Sequence, residues 1–88
     1  MIMTTVYITD FEIEFIEDAL NSFYLECPQD YNYQDKVNLD AKLNEREVKL
    51  NNDEINLVYK ALIKINKYTE EFSSIIAKFE QLAMMAQV

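Results

Sequence analysis

The 88-residue sequence contains no histidine, no tryptophan and no glycine, and it has one proline and one cysteine. Average glycine usage of about 7% would place roughly six glycines in such a chain. Without histidine, a Ser-His-Asp triad, imidazole acid–base catalysis and mixed Cys/His zinc sites are excluded. Without glycine, the P-loop and the dinucleotide-binding fingerprint are excluded as well.

The single cysteine adds little chemistry. Cys27 has no second cysteine for an internal disulfide, which is typical of a reducing compartment. No histidine can activate its thiol as a nucleophile, and we expect Cys27 to lie on the apolar face of a helix. The sequence therefore predicts no catalytic residue, no cofactor and no metal ligand, and we expect a protein that is not an enzyme.

Basic residues are absent from the first 35 positions, which carry eight acidic residues. Residues 36–88 carry the other eight acids and all eight bases, so the net charge of −8 belongs to the N-terminal part. This asymmetry predicts a basic protein partner. Direct nucleic-acid binding is disfavoured, because neutralising phosphates requires clustered Lys and Arg.

Long hydrophobic runs are also missing. No stretch approaches the ~20 apolar residues that span a bilayer, and residues 1–5 lack the features of a signal peptide. We therefore expect a soluble, cytoplasmic protein that makes no membrane contact. Half of the residues are apolar, which predicts one folded domain over residues 1–88.

Two complete helix-start signatures lie 42 residues apart. Thr9 can accept a hydrogen bond from the amide of Glu12, whose carboxylate can reach back to the Thr9 amide. Asn51 and Glu54 repeat this capping box. The residues just before the caps are candidates for short extended segments that pair with each other: Val6-Tyr7-Ile8 and Val48-Lys49-Leu50.

The first helix is predicted over about residues 10–27, with apolar residues at alternating spacings of three and four. Pro28 ends it, because the residue before a proline is disfavoured in helical geometry. Residues 28–34 are rich in turn formers and are predicted to form a loop. Two apolar i, i+4 pairs, Val37 with Ala41 and Leu39 with Leu43, then indicate a short helix over about residues 35–46.

The segment over residues 52–87 contains neither glycine nor proline and follows a heptad pattern, which predicts a long helix. Its apolar seam comprises Ile55, Val58, Leu62, Ile65, Phe72, Ile76 and Phe79. Thr69 followed by Glu70 and Glu71 can begin a new helix. The pattern therefore allows either one bent helix or two helices that separate near residues 66–69.

The apolar side chains of this seam must be buried against another element, and the shorter first helix cannot bury all of them. Either the segment folds back near residues 66–69, or a second copy of the chain covers the seam. A homodimer is the more economical interpretation, because an open hairpin of this size has a marginal core. The predicted fold class is all-α: a small helical bundle or hairpin with a short extended N-terminal segment.

An acidic row follows one face of the first helix. Asp10, Glu14, Glu17 and Asp18 lie opposite the apolar stripe, and carboxylates at i and i+4 are ~6 Å apart along the axis. This spacing is comparable to that of phosphates along one nucleic-acid strand, so the row could occupy a basic groove. The alternative is an ordinary solvated helix face, since like charges at this spacing cost only a few tenths of a kcal/mol.

Tyrosines and acids also gather in and beside the loop after the first helix. Tyrosine anchors many protein interfaces, although here the rings can equally cover the edge of the core. Together with the acidic row, these residues form the predicted partner-binding set: Asp10, Glu14, Glu17, Asp18, Glu26, Asp30, Tyr31, Tyr33 and Asp35.

In size, acidity and compactness the chain resembles the small accessory proteins of phages and mobile elements, among them DNA-mimic and anti-CRISPR inhibitors. The resemblance implies an inhibitor, active in the host cytoplasm, that binds a nucleic-acid-handling or defence protein such as a CRISPR effector. The acidic first helix would be its contact surface. The alternative function is a helical oligomerisation or adaptor protein that uses the heptad seam.

Overall fold

A computed structural model describes residues 3–43, 47–65 and 70–86 of the chain. The mostly helical fold that the sequence predicts is confirmed, with a short antiparallel ribbon added. The elements in chain order are β1 (Thr4–Tyr7), α1 (Asp10–Glu26), α2 (Tyr33–Lys42), β2 (Glu47–Leu50), α3 (Asn52–Lys64) and α4 (Glu70–Ala86). Residues from all six elements contribute to one continuous apolar core.

Both predicted capping boxes are confirmed. At α1, the Glu12 amide donates to Thr9 Oγ1 over 3.1 Å, and the Thr9 amide donates to Glu12 Oε1 over 3.0 Å. At α3, the Glu54 amide donates to Asn51 Oδ1 over 2.8 Å, and the Asn51 amide donates to Glu54 Oε1 over 2.9 Å. These bonds satisfy amides that have no partner inside their own helices, and they fix where α1 and α3 begin.

The two candidate extended segments do pair as an antiparallel ribbon, with Val6 directly opposite Val48, but the first strand ends at Tyr7 and leaves Ile8 outside the ribbon. These valines occupy equivalent positions of two similar segments 42 residues apart. The two strands are therefore related by an approximate two-fold axis through this pair. Each strand leads directly into a capped helix, and these helices, α1 and α3, pack against each other. The small side chains of Ala19 and Ala61, also equivalent positions, are both buried.

The helix before Pro28 ends at Glu26, and Cys27 follows as a partly buried C-cap residue whose amide donates to the carbonyl of Phe23. The predicted loop is shorter than expected at its far end. Tyr33 is the first residue of α2, because the side chain of Asn32 caps the helix and accepts from the Gln34 amide over 2.8 Å.

The α2 helix is shorter than the predicted span, and residues 44–46 lie outside the described part. Only one of its two predicted apolar pairs faces the core. Leu39 and Leu43 are buried, whereas Val37 and Ala41 are exposed. The attachment of α2 therefore depends on few apolar side chains.

Two helices occupy the C-terminal segment, which resolves the alternative that the heptad pattern leaves open. α3 ends at Lys64 and α4 begins at Glu70, and the two helices pack against each other. Residues 66–69 and 87, including the predicted cap Thr69, lie outside the described residues. The chain therefore covers its own seam by folding back.

The predicted oligomer seam lies inside the single chain. Five of its residues are at most 1% exposed: Ile55, Val58, Leu62, Phe72 and Phe79. Ile65 and Ile76 are partly buried against the same core. The homodimer remains a prediction, but an uncovered seam no longer supports it, because α1, α3 and α4 bury these side chains between them.

Each capping-box glutamate also pairs with a lysine from a more distant helix. Lys42 of α2 donates to Glu54 Oε1 over 2.7 Å. Lys78 of α4 donates to Glu12 Oε1 over 3.2 Å and also donates to the carbonyl of Tyr7. The helix that follows α1 thus holds the start of α3, and the helix that follows α3 holds the start of α1.

Candidate functional site

The acidic row of α1 faces outward. Asp10, Glu14, Glu17 and Asp18 are all exposed. The inner face of the helix is buried in the core through Ile16, Ala19, Leu20 and Phe23, and Tyr24 near the end of the helix is buried as well. Because this buried face fixes the rotation of the helix, the carboxylates are held as a row along the surface.

Few bases neutralise this row. Asp10, Glu14 and Glu17 form no ion pair with any residue of the described ranges. Lys36, the first base in the chain, instead pairs with Asp40 over 3.2 Å. Its ammonium lies 5.1 Å from the ring centroid of Tyr24 and 5.9 Å from that of Tyr33.

The row continues toward α2 across a shallow groove of about 200 Å³. Glu17 and Asn21 of α1 line one side of this groove, and Asp40 and Leu43 line the other. Asp40, which is paired with Lys36, therefore lies across this groove from the row, a neighbour that the sequence pattern of α1 does not reveal.

A second negative surface lies where the loop after α1 and the start of α2 meet α3. This acidic cleft has a volume of about 540 Å³. It is lined by Asp30, Tyr31, Asn32, Asp35, Asp53, Asn56, Leu57, Tyr59 and Lys60. The fold thus brings the predicted residues Asp30, Tyr31 and Asp35 together, away from the residues that form the row on α1.

The α3 side of the acidic cleft was missed by sequence reasoning. Asp53 lies between the two capping-box residues of α3 and Asn56 lies two positions after them, and their only sequence signal is a polar position near the start of a helix. Their proximity to Asp35 results from the packing of α2 on α3, which no local pattern encodes.

Charges in the acidic cleft repel one another. Partial burial, together with the negative charges of Asp53 and Glu54, raises the pKa of Asp35 above its ordinary value. Glu54 lies beneath the surface with its side chain fully buried, and its Oε2 atom has no hydrogen-bond partner among the described residues. A positive group in this cleft would relieve the repulsion.

The remaining predicted residues have different surroundings. Tyr31 packs against Tyr24, with ring centroids 4.6 Å apart, so it covers the core edge and lines the acidic cleft at the same time. Tyr33 is 72% exposed on α2, and Glu26 is exposed at the end of α1. Neither lines the acidic cleft.

An apolar groove of about 460 Å³ adjoins the acidic cleft and shares Asp30, Tyr59 and Lys60 with it. Its other lining residues are Phe23, Cys27, Ile63 and Lys64. Ile63 is 49% exposed although it belongs to a helix that is otherwise well packed. The acidic cleft and the apolar groove together give a neighbouring pair of charged and apolar surfaces.

The part of the chain that the structure describes holds no group of three or more His, Cys, Asp or Glu side chains suited to a metal ion. Nor does any described helix have the length and apolar character needed to cross a membrane. Comparison with protein-family models, curated proteins and solved structures finds no match for the chain.

Proposed function

We propose that this protein is a non-enzymatic interaction module that binds a basic protein through the acidic row of α1. One observation carries the proposal: the exposed carboxylates of Asp10, Glu14 and Glu17 have no ionic partner among the described residues. Because no described base pairs with these carboxylates, they are available to an incoming partner, and negative charge of this kind accelerates encounter with a positive surface.

The rigidity of α1 supports this role. Its N-terminus is fixed by the capping box, and its inner face is buried against α3. A pre-positioned row loses little conformational freedom on binding, so more of the electrostatic attraction is available for affinity.

The spacing of the row also suggests the class of partner. Carboxylates one helical turn apart repeat at ~5–6 Å, which is close to the spacing of phosphates along a nucleic-acid strand. A protein that handles nucleic acids presents a basic groove with this repeat. An inhibitor of the phage or anti-CRISPR type, which blocks such a groove, is the form of this function that we favour.

Salt-dependent capture with matched charge variants tests the proposal. We compare Glu14→Lys/Glu17→Lys with Glu71→Lys/Glu80→Lys, whose exposed acids lie on α4. Each variant changes the net charge by the same amount, from −8 to −4. Immobilised protein is incubated with a bacterial extract at low and at high salt, and retained proteins are identified by mass spectrometry.

We expect a basic protein to be retained at low salt, released at high salt and displaced by added duplex DNA. The α1 variant should lose this protein, whereas the α4 variant should retain it. Circular dichroism must show unchanged helicity in both. Equal capture by the two variants, or equal loss, would contradict a role for the α1 row, because overall charge alone would then explain binding.

The alternative adaptor function finds no comparable support. It requires the heptad seam as a contact surface, and Val58, Leu62 and Phe79 of that seam are fully buried within the single chain.

A further inference from the structure

We propose that the acidic cleft and the apolar groove beside it form a second binding site, which takes a protein segment that carries an arginine next to an apolar side chain. This site lies outside the α1 row and does not depend on the function proposed for that row. Both surfaces are open to solvent: the acidic cleft indicates a positive group in the occupant, and the apolar groove indicates an apolar side chain beside it.

The acidic cleft supplies a place for the guanidinium. Three carboxylates, those of Asp30, Asp35 and Asp53, face one ammonium, that of Lys60, so the lining has a net charge of −2. The raised pKa of Asp35 follows from burial and from the neighbouring negative charges, which a bound cation would offset. Carboxylates accept the paired N–H groups of arginine in a bidentate geometry that lysine cannot reproduce.

Aromatic rings in the same lining favour arginine further. Tyr31 and Tyr59 belong to the loop and to α3, so the acidic cleft has rings contributed by two different elements. A guanidinium stacks on aromatic faces and bonds to carboxylates in its own plane at the same time. The rings offer no ligand atoms to a metal ion, and the described side chains include no group of three or more His, Cys, Asp or Glu suited to a metal.

The apolar groove receives the neighbouring side chain of the same segment. Phe23 and Cys27 line it together with Ile63, a branched apolar residue that is 49% exposed. Covering this surface removes apolar area from water, and the shared lining residues place it directly beside the acidic cleft. Lys60 and Lys64 border the apolar groove, so a second basic side chain is disfavoured there.

The charge of the chain argues for a different protein as the occupant rather than a second copy. Each copy carries a net charge of −8, which opposes association of two negative surfaces. A basic segment of a partner is attracted by the same field.

Titration of the full-length, isotope-labelled protein with short peptides tests the site by nuclear magnetic resonance. The probe is the N-acetylated, C-amidated tripeptide Arg-Ala-Leu, compared with Glu-Ala-Leu and Arg-Ala-Ser. We expect saturable shifts of the amides of Asn32, Asn56 and Ile63, with a dissociation constant on the order of 1 mM. Both comparison peptides should bind more weakly, because each lacks one of the two anchors.

The variant Asp35→Asn/Asp53→Asn removes two cleft charges with little change in shape. Its matched control is Glu70→Gln/Glu71→Gln, since all four acids lie in the first turn of a helix. We expect the cleft variant to weaken binding of the tripeptide about tenfold or more and the control to bind unchanged. A Glu14→Lys/Glu17→Lys protein should also bind the tripeptide, which separates this site from the α1 row.

Three results would overturn the proposal: no saturable shift up to several millimolar peptide, shifts confined to α1, or equal binding of Arg-Ala-Leu and Glu-Ala-Leu. If the cleft variant does not fold, Ile63→Ser tests the apolar half alone. It should weaken Arg-Ala-Leu and leave the weaker Arg-Ala-Ser unaffected.

Discussion

The chain contains two strand–helix units, β1 with α1 and β2 with α3. Glu12 and Glu54 occupy equivalent positions in these units, yet their surroundings differ. The side chain of Glu12 is 20% exposed, whereas that of Glu54 is fully buried beneath α2. Each accepts a hydrogen bond from its cap residue and another from a lysine. The same local motif therefore starts both helices, but the elements packed over it decide how much each glutamate contributes to stability.

Replacing each glutamate by alanine should show the largest difference between the two helix starts. Glu54→Ala should lower the free energy of unfolding by about 4 kcal/mol, because it removes the hydrogen bonds that the buried carboxylate accepts from the Asn51 amide and the Lys42 ammonium, and it opens a cavity. Glu12→Ala should lower it by about 1 kcal/mol, since water can replace the lost contacts of a partly exposed pair. Urea denaturation at pH 7 measures both.

The variant Glu54→Gln is the control for shape, because its amide oxygen can still accept from the Asn51 amide. Its loss of stability should lie between those of wild type and Glu54→Ala. If Glu12→Ala and Glu54→Ala destabilise equally, burial does not distinguish the two caps, and the comparison fails.

Away from the caps, the two units should respond alike. Leu20 of α1 and Leu62 of α3 are equivalent positions, and both are at most 1% exposed. Leucine-to-alanine changes at each site should cost about 3 kcal/mol, from lost apolar contacts and the cavity left behind. Urea denaturation of the two single variants should give values within about 1 kcal/mol of each other. A difference above about 2 kcal/mol would show that the units differ in their cores as well.

The smallest effect concerns pH. Burial alone would raise the pKa of Glu12, but the Thr9 amide and the Lys78 ammonium lower it below the ordinary value. The stability contributed by Glu12 is therefore present above the unfolded pKa of about 4.3, and it is lost as pH falls through the lower folded pKa. Relative to wild type, Glu12→Gln should lose about 0.5 kcal/mol at pH 7 and less at pH 3. An equal loss at both pH values, in urea denaturation, would contradict this assignment.

Local sequence signals predicted much of the fold. The capping boxes at Thr9 and Asn51 fix two helix starts because each depends only on residues three positions apart. Pro28 marks the end of α1 for an equally local reason. The sequence offers the pairing of the segments around Val6 and Val48 only as an alternative, and the structure shows it.

Features that depend on distant packing could not be predicted. The heptad pattern continues across residues 66–69, so it does not reveal that α3 and α4 are separate and cover each other's seam. The turn formers before Tyr33 place it in the predicted loop, whereas the Asn32 cap makes it the first residue of α2. The α1 row could be predicted because all its residues lie on one helix. The acidic cleft could not, because it combines Asp35 of α2 with Asp53 of α3.

Lys42 and Lys78 each pair with the capping-box glutamate of the other half of the chain, and this has a consequence for how the chain folds. Glu12 and Lys78 are 66 positions apart, so the capping box of α1 gains its ion pair only when α4 packs beside it. Lys42, in the N-terminal half of the chain, pairs in turn with Glu54 at the start of α3. Although the starts of α1 and α3 resemble each other in sequence, neither half of the chain holds the lysine partner of its own capping-box glutamate. The two halves therefore depend on each other, and we expect them to gain and lose structure in one cooperative transition rather than as separable modules.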